Sequence, residues 1–317
     1  QILDDSDAAR RGLRTGDQLV MFAGRNLSSA NHFKNILGIF PAGWRVPITY
    51  RRERETRETL VRLQTAQPAE KTERPRPDGP PMPKLEIPMK KVETPASKLY
   101  KAGPKGVANA YFNELARDKL LTAAKKHGDF AAAAGTWTAE GDFEAVERKG
   151  PMRFEVAPGS GDDAKVSLKL NIEHRLQPLK QTDARDQAEP IGSGGLMMAL
   201  YHWHRFLTAG PKGFEGEFVA AGTEPFYPPA EKGIGPRVLA DVIRTRHGPV
   251  SCKWYFGKPD AKLLGYEVTI SKDADPCEVY LSDYRDAGGR QLPHRIECRH
   301  ADKRYAVLTV TRYGVGN

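Results

Sequence analysis

The sequence is poor in cysteine: Cys252, Cys277 and Cys298 are the only three in 317 residues. That is too few for a disulfide scaffold, and no Cys-x-x-Cys pair provides the spacing of a zinc site. Long apolar runs are also missing. None approaches the roughly 20 residues that a membrane-spanning helix needs. There is no Walker loop, no dinucleotide fingerprint and no His-Glu-x-x-His element, so nucleotide and zinc-protease chemistry have no motif to rest on. What is present is the composition of a water-soluble protein, 39% hydrophobic and 28% charged. At ~150 residues per domain, the length implies about two domains.

The net charge of +9 raises the question of nucleic acid. The excess is not spread over the chain. Residues 1–68 carry +4, residues 69–105 another +4, and the remaining 212 residues only +1. A nucleic-acid binder concentrates basic charge on a folded face with stacking aromatics interleaved. Here much of it sits in a Pro-rich stretch, so no nucleic-acid partner is expected.

That stretch marks the clearest boundary. Residues 66–104 hold 9 of the 24 prolines, including the run Arg74-Pro-Arg-Pro-Asp-Gly-Pro-Pro-Met-Pro83. Proline fixes φ and cannot donate to a ladder, which predicts an extended, solvated linker over 66–105. A Pro-rich docking motif is the alternative reading.

Before the linker, residues 1–65 read as a small unit. Ser6 caps a short helix over Asp7–Arg11 that ends at Gly12, and a tight turn Leu13-Arg-Thr-Gly-Asp17 leads into a strand over Gln18–Phe22. Ser28 or Ser29 caps a second helix reaching Leu37, whose Phe33, Ile36, Leu37 and Phe40 follow the spacing of one buried face. Two strands, residues 43–50 and 58–63, close the unit. The run Ser6-Asp-Ala-Ala-Arg-Arg-Gly-Leu-Arg-Thr-Gly-Asp17 resembles a PDZ domain of the bacterial HtrA/Deg type. Asp7 stands where that family has Pro, and Ala23-Gly24 replaces Asn-Gly.

The resemblance implies capture of protein or peptide C-termini by strand addition. It also implies that the first strand and the carboxylate loop precede Gln1. The remaining wall is the helix 30–37, where Ala30, Lys34 and Leu37 are the candidate peptide-binding residues. The alternative is that Leu37 is core and Lys34 a solvated face.

After the linker, residues 107–127 have helical composition. Strands are predicted over 135–146, 152–156, 165–177, 214–222, 238–247, 250–257, 263–270 and 304–313. A hairpin lies between Cys277 and Cys298, and an apolar helix over 196–207. Roughly nine antiparallel strands and two helices make residues 106–317 an α+β domain with one strongly curved sheet. Counting outward from the turn Ala287-Gly288-Gly289 sets Cys277 nearly opposite Cys298, as a cross-strand disulfide or as two buried thiols. The strand order and the turn Gly289-Arg-Gln-Leu-Pro-His294 resemble the outer-membrane lipoprotein-sorting (LolA-like) half-barrel. That resemblance implies a concave apolar surface able to hold an acyl chain or another hydrophobic ligand. The alternative is a concave side simply filled by helix 196–207.

Two groups invite chemistry. Gly192-Ser-Gly-Gly195 is similar to the nucleophile segment of trypsin-like proteases, but the apolar helix that follows makes Ser193 a loop or N-cap residue. His202-Trp-His204 has the look of a metal pair. On a helix, residues two apart point ~200° away from each other and cannot chelate. No catalytic, metal or cofactor residue is therefore expected. His294 and His300 read as strand-end polar residues.

Together these readings predict an α+β chain: a truncated PDZ domain plus a larger half-barrel domain with packed helices. The expected function is the non-catalytic accessory region of an HtrA/Deg-like serine protease in a bacterial envelope or periplasm, with the catalytic domain upstream. The alternative is a periplasmic carrier of lipid or another hydrophobic ligand.

Overall fold

The computed structural model describes residues 6–64, 94–95, 97–103, 109–160, 163–180, 183–271 and 274–316. The linker expected over 66–105 lies, apart from residues 94–95 and 97–103, outside the described residues. The chain divides into two compact units, Gln1–Phe112 and Asn113–Asn317.

In the first unit, Ser6 caps α1 (Asp7–Arg10) through its side chain, which accepts from the Ala9 amide. Strands β1 (Gln18–Phe22) and β2 (Arg25–Asn26) follow, then α2 (Ala30–Leu37), β3 (Arg45–Arg52) and β4 (Glu55–Arg62). The strands form an antiparallel sheet in the order β2-β1-β3-β4. Ser29 is the α2 cap, accepting from His32 N–H. Ile36 is buried, and Phe33, Leu37 and Phe40 pack around Phe22 as the helical spacing predicts. Asp7 is almost wholly buried, where its carboxylate accepts from the Arg62 amide at 2.5 Å and from the Arg11 guanidinium at 3.2 Å. Asp17 accepts from the Arg14 amide at 2.8 Å and takes a two-pronged bond from Arg52 at 2.7 and 2.8 Å. The Arg52 hydrogen bond holds the Asp17 carboxyl at a pKa of about 2.

The second unit takes in most of α3 (Ala110–Ala124), whose first turn lies before the division. Four strands follow: β5 (Trp137–Glu144), β6 (Lys149–Ala157), β7 (Lys165–Leu170) and β8 (Ile172–Leu176). Next come α4 (Ala184–Gln187), α5 (Leu196–Ala209), β9 (Phe218–Phe226), β10 (Val238–His247), β11 (Val250–Phe256) and β12 (Leu263–Thr269). The chain ends in β13 (Cys277–Asp286), β14 (Gln291–His300) and β15 (Lys303–Val315). All eleven strands belong to one antiparallel sheet, ordered β8-β7-β6-β5-β15-β14-β13-β12-β11-β10-β9.

Two strand expectations need correction. The single long strand over 165–177 is a hairpin that reverses at Asn171, which takes φ 68°. An amide side chain tolerates that left-handed conformation, and the apolar pattern on either side does not reveal the reversal. The strand placed at 214–222 runs instead over Phe218–Phe226, because Gly210–Gly213 forms a 3-10 turn that extends the end of α5.

The sheet must curve. Helix α5 touches β6 and β7 on one flank and β12 and β13 on the other. In a flat sheet β7 and β12 would stand about 29 Å apart at ~4.8 Å per strand, far beyond the ~10 Å width of a helix. Alternate residues of every strand point into the concave side, among them Phe154, Leu168, Trp254, Tyr266, Val279, Ile296 and Leu308, all buried. Helix α5 lies inside this trough, and its residues from Leu196 to His204 are all buried, while Arg205, Leu207 and Thr208 are half-buried and Ala209 is exposed.

Candidate functional site

The trough is not completely filled. Beside the C-terminal half of α5 an apolar cavity of about 450 Å³ remains, within the range of small-molecule sites. Trp203, Phe206 and Leu207 of α5 form one wall, and Leu121 and Ala124 at the end of α3 another. Phe256, Leu263, Tyr284 and Leu292 form the floor from the sheet. The segment 125–131 closes the remaining side. It does so because Gly128, at φ 136°, lies so close to the β13–β14 turn that a Cβ there would stand 2.8 Å from the Arg290 Cα. His127 Nε2 pairs with the Asp260 carbonyl at 2.8 Å, and Arg290 Nε donates to the Asp129 carbonyl at 2.8 Å.

Several polar groups at and beside the cavity are engaged with the protein. The Tyr284 hydroxyl donates to the Leu263 carbonyl, and the indole N–H of Trp137 to the Ala133 carbonyl at 2.7 Å. The Tyr313 hydroxyl donates to the Pro293 carbonyl. Burial pushes the Tyr284 and Tyr313 hydroxyls well above the usual phenol range, so both remain neutral donors. The walls are mainly apolar, with Lys125, His127, Asp129 and Lys262 the titratable groups among them besides Tyr284. What the space can do chemically is remove an apolar group from water.

Ser193 is a loop residue two positions before the α5 N-cap, Gly195. Its Oγ accepts from the Gly195 and Leu196 amides at 3.1 and 3.0 Å and donates to the Ala188 carbonyl at 3.4 Å, at the entrance to α5. The neighbouring glycines permit close packing: a Cβ on Gly194, at φ 70°, would lie 2.3 Å from the His300 ring. The two α5 histidines diverge as a helix requires. His204 Nε2 bonds the Gly135 carbonyl at 2.9 Å, while His202 packs beside Phe214 and His247. Among the described residues, no three His, Cys, Asp or Glu side chains converge as a metal site.

His294 is not a strand-end residue. It is buried in β14, with Nδ1 bonded to the Val310 carbonyl at 2.7 Å. Cys277 faces His300 and Cys298 faces Val279, so the two cysteines are diagonal rather than opposite. Both are free, with sulfurs 3.7 Å apart, and the contact with Cys298, helped by burial, raises the Cys277 thiol well above the ordinary range.

The residues proposed for peptide binding belong to the small unit. Ala30 and Lys34 are exposed on α2, and Leu37 is half-buried against the Phe22 core. The residues around the cavity were not singled out from sequence, apart from the general implication of a concave apolar surface. The available signal was the apolar spacing of Leu120, Leu121 and Ala124 at the end of α3, beside Trp203-x-x-Phe206-Leu207 on α5.

No protein-family model matches the sequence, and no curated protein does. Solved structures similar to the chain include a domain from Vibrio parahaemolyticus named for outer membrane lipoprotein sorting. It shares 14% identity over 65% of this chain and 93% of its own, with a TM-score of 0.37. A LolA superfamily protein from Nitrosomonas europaea shares 10% identity over 63% and 94%, with a TM-score of 0.36. A DUF1329 family protein from Desulfovibrio piger shares 9% over 64% and 94%, with a TM-score of 0.35.

These findings correct the expectation of an HtrA/Deg protease accessory region. The similar structures carry lipoprotein-sorting, LolA and DUF1329 names, and none of them a protease name. The pattern Ser6–Asp17 is accounted for by a helix cap, a tight turn and the Asp17–Arg52 pair, features that any small α+β unit can use.

Proposed function

We propose that the unit Asn113–Asn317 binds the apolar chain of a lipid or another hydrophobic ligand in this cavity, as a carrier or binder in the cell envelope or periplasm. The observation that carries the reading is the open apolar space between α3, α5 and the sheet floor, where the Tyr284 hydroxyl is already bonded to the Leu263 carbonyl. A pocket of this kind gains affinity by burying hydrocarbon at roughly 25 cal/mol per Å² of apolar surface. Among the described residues no helix is long and apolar enough to cross a membrane.

Native mass spectrometry of the full chain, purified without detergent and then mixed with a long-chain amphiphile, tests the proposal. A lipid-sized adduct, either co-purified or taken up, is the expected result. A bare mass in both preparations overturns it.

A further inference from the structure

The cavity's size and the charge at its wall go further than an unspecified hydrophobic ligand. The cavity, about 450 Å³, is of a size that receives a small ligand such as one amphiphile chain. The lining also contains two ammonium groups, Lys125 at the end of α3 and Lys262 before β12, against one carboxylate, Asp129.

The charges differ in how far they are already committed. The Asp129 carboxylate accepts from the Ala131 and Ala132 amides at 3.1 and 3.3 Å, bonds that hold it at the start of the 131–133 turn. Lys262 stands 5.4 Å above the Tyr284 ring, at the edge of the apolar floor. Its nearest carboxylate oxygen, on Asp260, is 3.8 Å away, well beyond the ~2.7–2.9 Å of a charge-assisted hydrogen bond. Lys125 is exposed and makes no ion pair among the described residues. His127 contributes no charge-seeking donor at Nε2, because that nitrogen pairs with the Asp260 carbonyl. An apolar slot lined by two incompletely paired ammonium groups suits a chain that ends in negative charge.

We propose that the cavity selects a single-chain amphiphile with an anionic head group, the chain lying against Trp203, Phe206 and Leu292 and the head meeting Lys125 and Lys262. This rests on the ligand-binding reading above and specifies the ligand's class. The preference is electrostatic, so it weakens as salt screens the exposed pairs over a Debye length of ~10 Å at 0.1 M.

The test is calorimetric titration of the full chain, below micelle concentrations and at low salt. The four probes share one chain: dodecanoate, dodecyl phosphate, dodecyltrimethylammonium and dodecyl maltoside. The anionic probes are expected to bind roughly tenfold more tightly than the cationic one. Whichever of dodecanoate and dodecyl phosphate binds better identifies a carboxylate or a phosphate head as the favoured source of charge. Lys125→Glu with Lys262→Glu is expected to abolish or invert the preference for anionic over cationic probes. Lys125→Gln, at an exposed position, is expected to reduce the preference without any folding defect. Equal binding of all four probes overturns the head-group assignment and leaves the cavity reading intact. Binding of none overturns the cavity reading itself.

Discussion

The Phe206 ring lies on the Trp254 ring, with centroids 4.2 Å apart and planes inclined by 22°. Phe206 belongs to α5 and Trp254 to β11, so this stack ties the enclosed helix to the floor of the trough. Trp254 stacks in turn on Tyr266 of β12 at 4.7 Å, and its indole N–H donates to Thr245 of β10 at 2.9 Å. Phe206 also lines the cavity, so one side chain both anchors α5 and shapes the site.

Phe206→Ala should therefore destabilise the larger unit by about 3–5 kcal/mol, the usual cost of removing a buried aromatic ring. It should also enlarge the cavity. Denaturant unfolding followed by tryptophan fluorescence measures the first effect. A shift in preferred probe length toward longer chains reports the second.

Leu207→Trp should have the opposite pattern. Leu207 is half-buried and faces the cavity, so the larger ring has space to occupy without displacing packed atoms. Binding of a dodecyl chain should fall at least roughly tenfold, while stability changes by less than the ~1–3 kcal/mol of a typical overpacked core. Unchanged affinity would mean that the chain binds elsewhere.

Ser193→Ala should cost about 1–2 kcal/mol, because two amides at the start of α5 lose their acceptor in a buried place. Ser193→Asp, which keeps an acceptor at the same position, separates these hydrogen bonds from size. Thermal unfolding of the two variants compares the effects, with the alanine variant expected to show the loss of the bonds alone.

Acid should weaken the larger unit through its buried histidines. Burial drops the His202 pKa to about 3, with His247 and Arg205 adding repulsion, and burial also lowers His247, against which Glu215 works. The unfolded chain takes up protons near the ordinary value of about 6.5, and the folded chain only at lower pH. The stabilisation is complete above pH ~6.5. It is lost progressively as pH falls toward 3, by at most about 1.4 kcal/mol per pH unit for each histidine. His202→Phe should flatten the dependence between pH 6 and pH 4, which equilibrium unfolding at a series of pH values checks directly.

Local chemistry made much of the architecture legible in advance. Ser6 and Ser29 marked helix starts, because a side-chain oxygen there satisfies an amide that the helix leaves unpaired. The strand predicted over 238–247 coincides with β10 to the residue. The divergence of His202 and His204 followed from helical geometry alone. The turn at Asn171 escaped notice because a single residue reverses the chain there, between apolar patterns that continue on both sides.

The protease reading failed for a related reason. Capping serines, positive-φ glycines and an Asp-amide turn are local devices shared by unrelated folds, so the run Ser6–Asp17 carried less about function than its length implied.

The sequence by itself determined the helix starts at Ser6 and before α2, most of the strands and the apolar character of α5, because each of these follows from neighbours within one or two turns of chain. Whether α5 fills the trough or leaves room beside it depends on how far the eleven-stranded sheet curves and on where α3 and the segment 125–131 close over it. Those contacts join residues more than a hundred positions apart, such as Arg290 with Asp129 and His127 with Asp260. Only the tertiary structure decided that the space between them stays open.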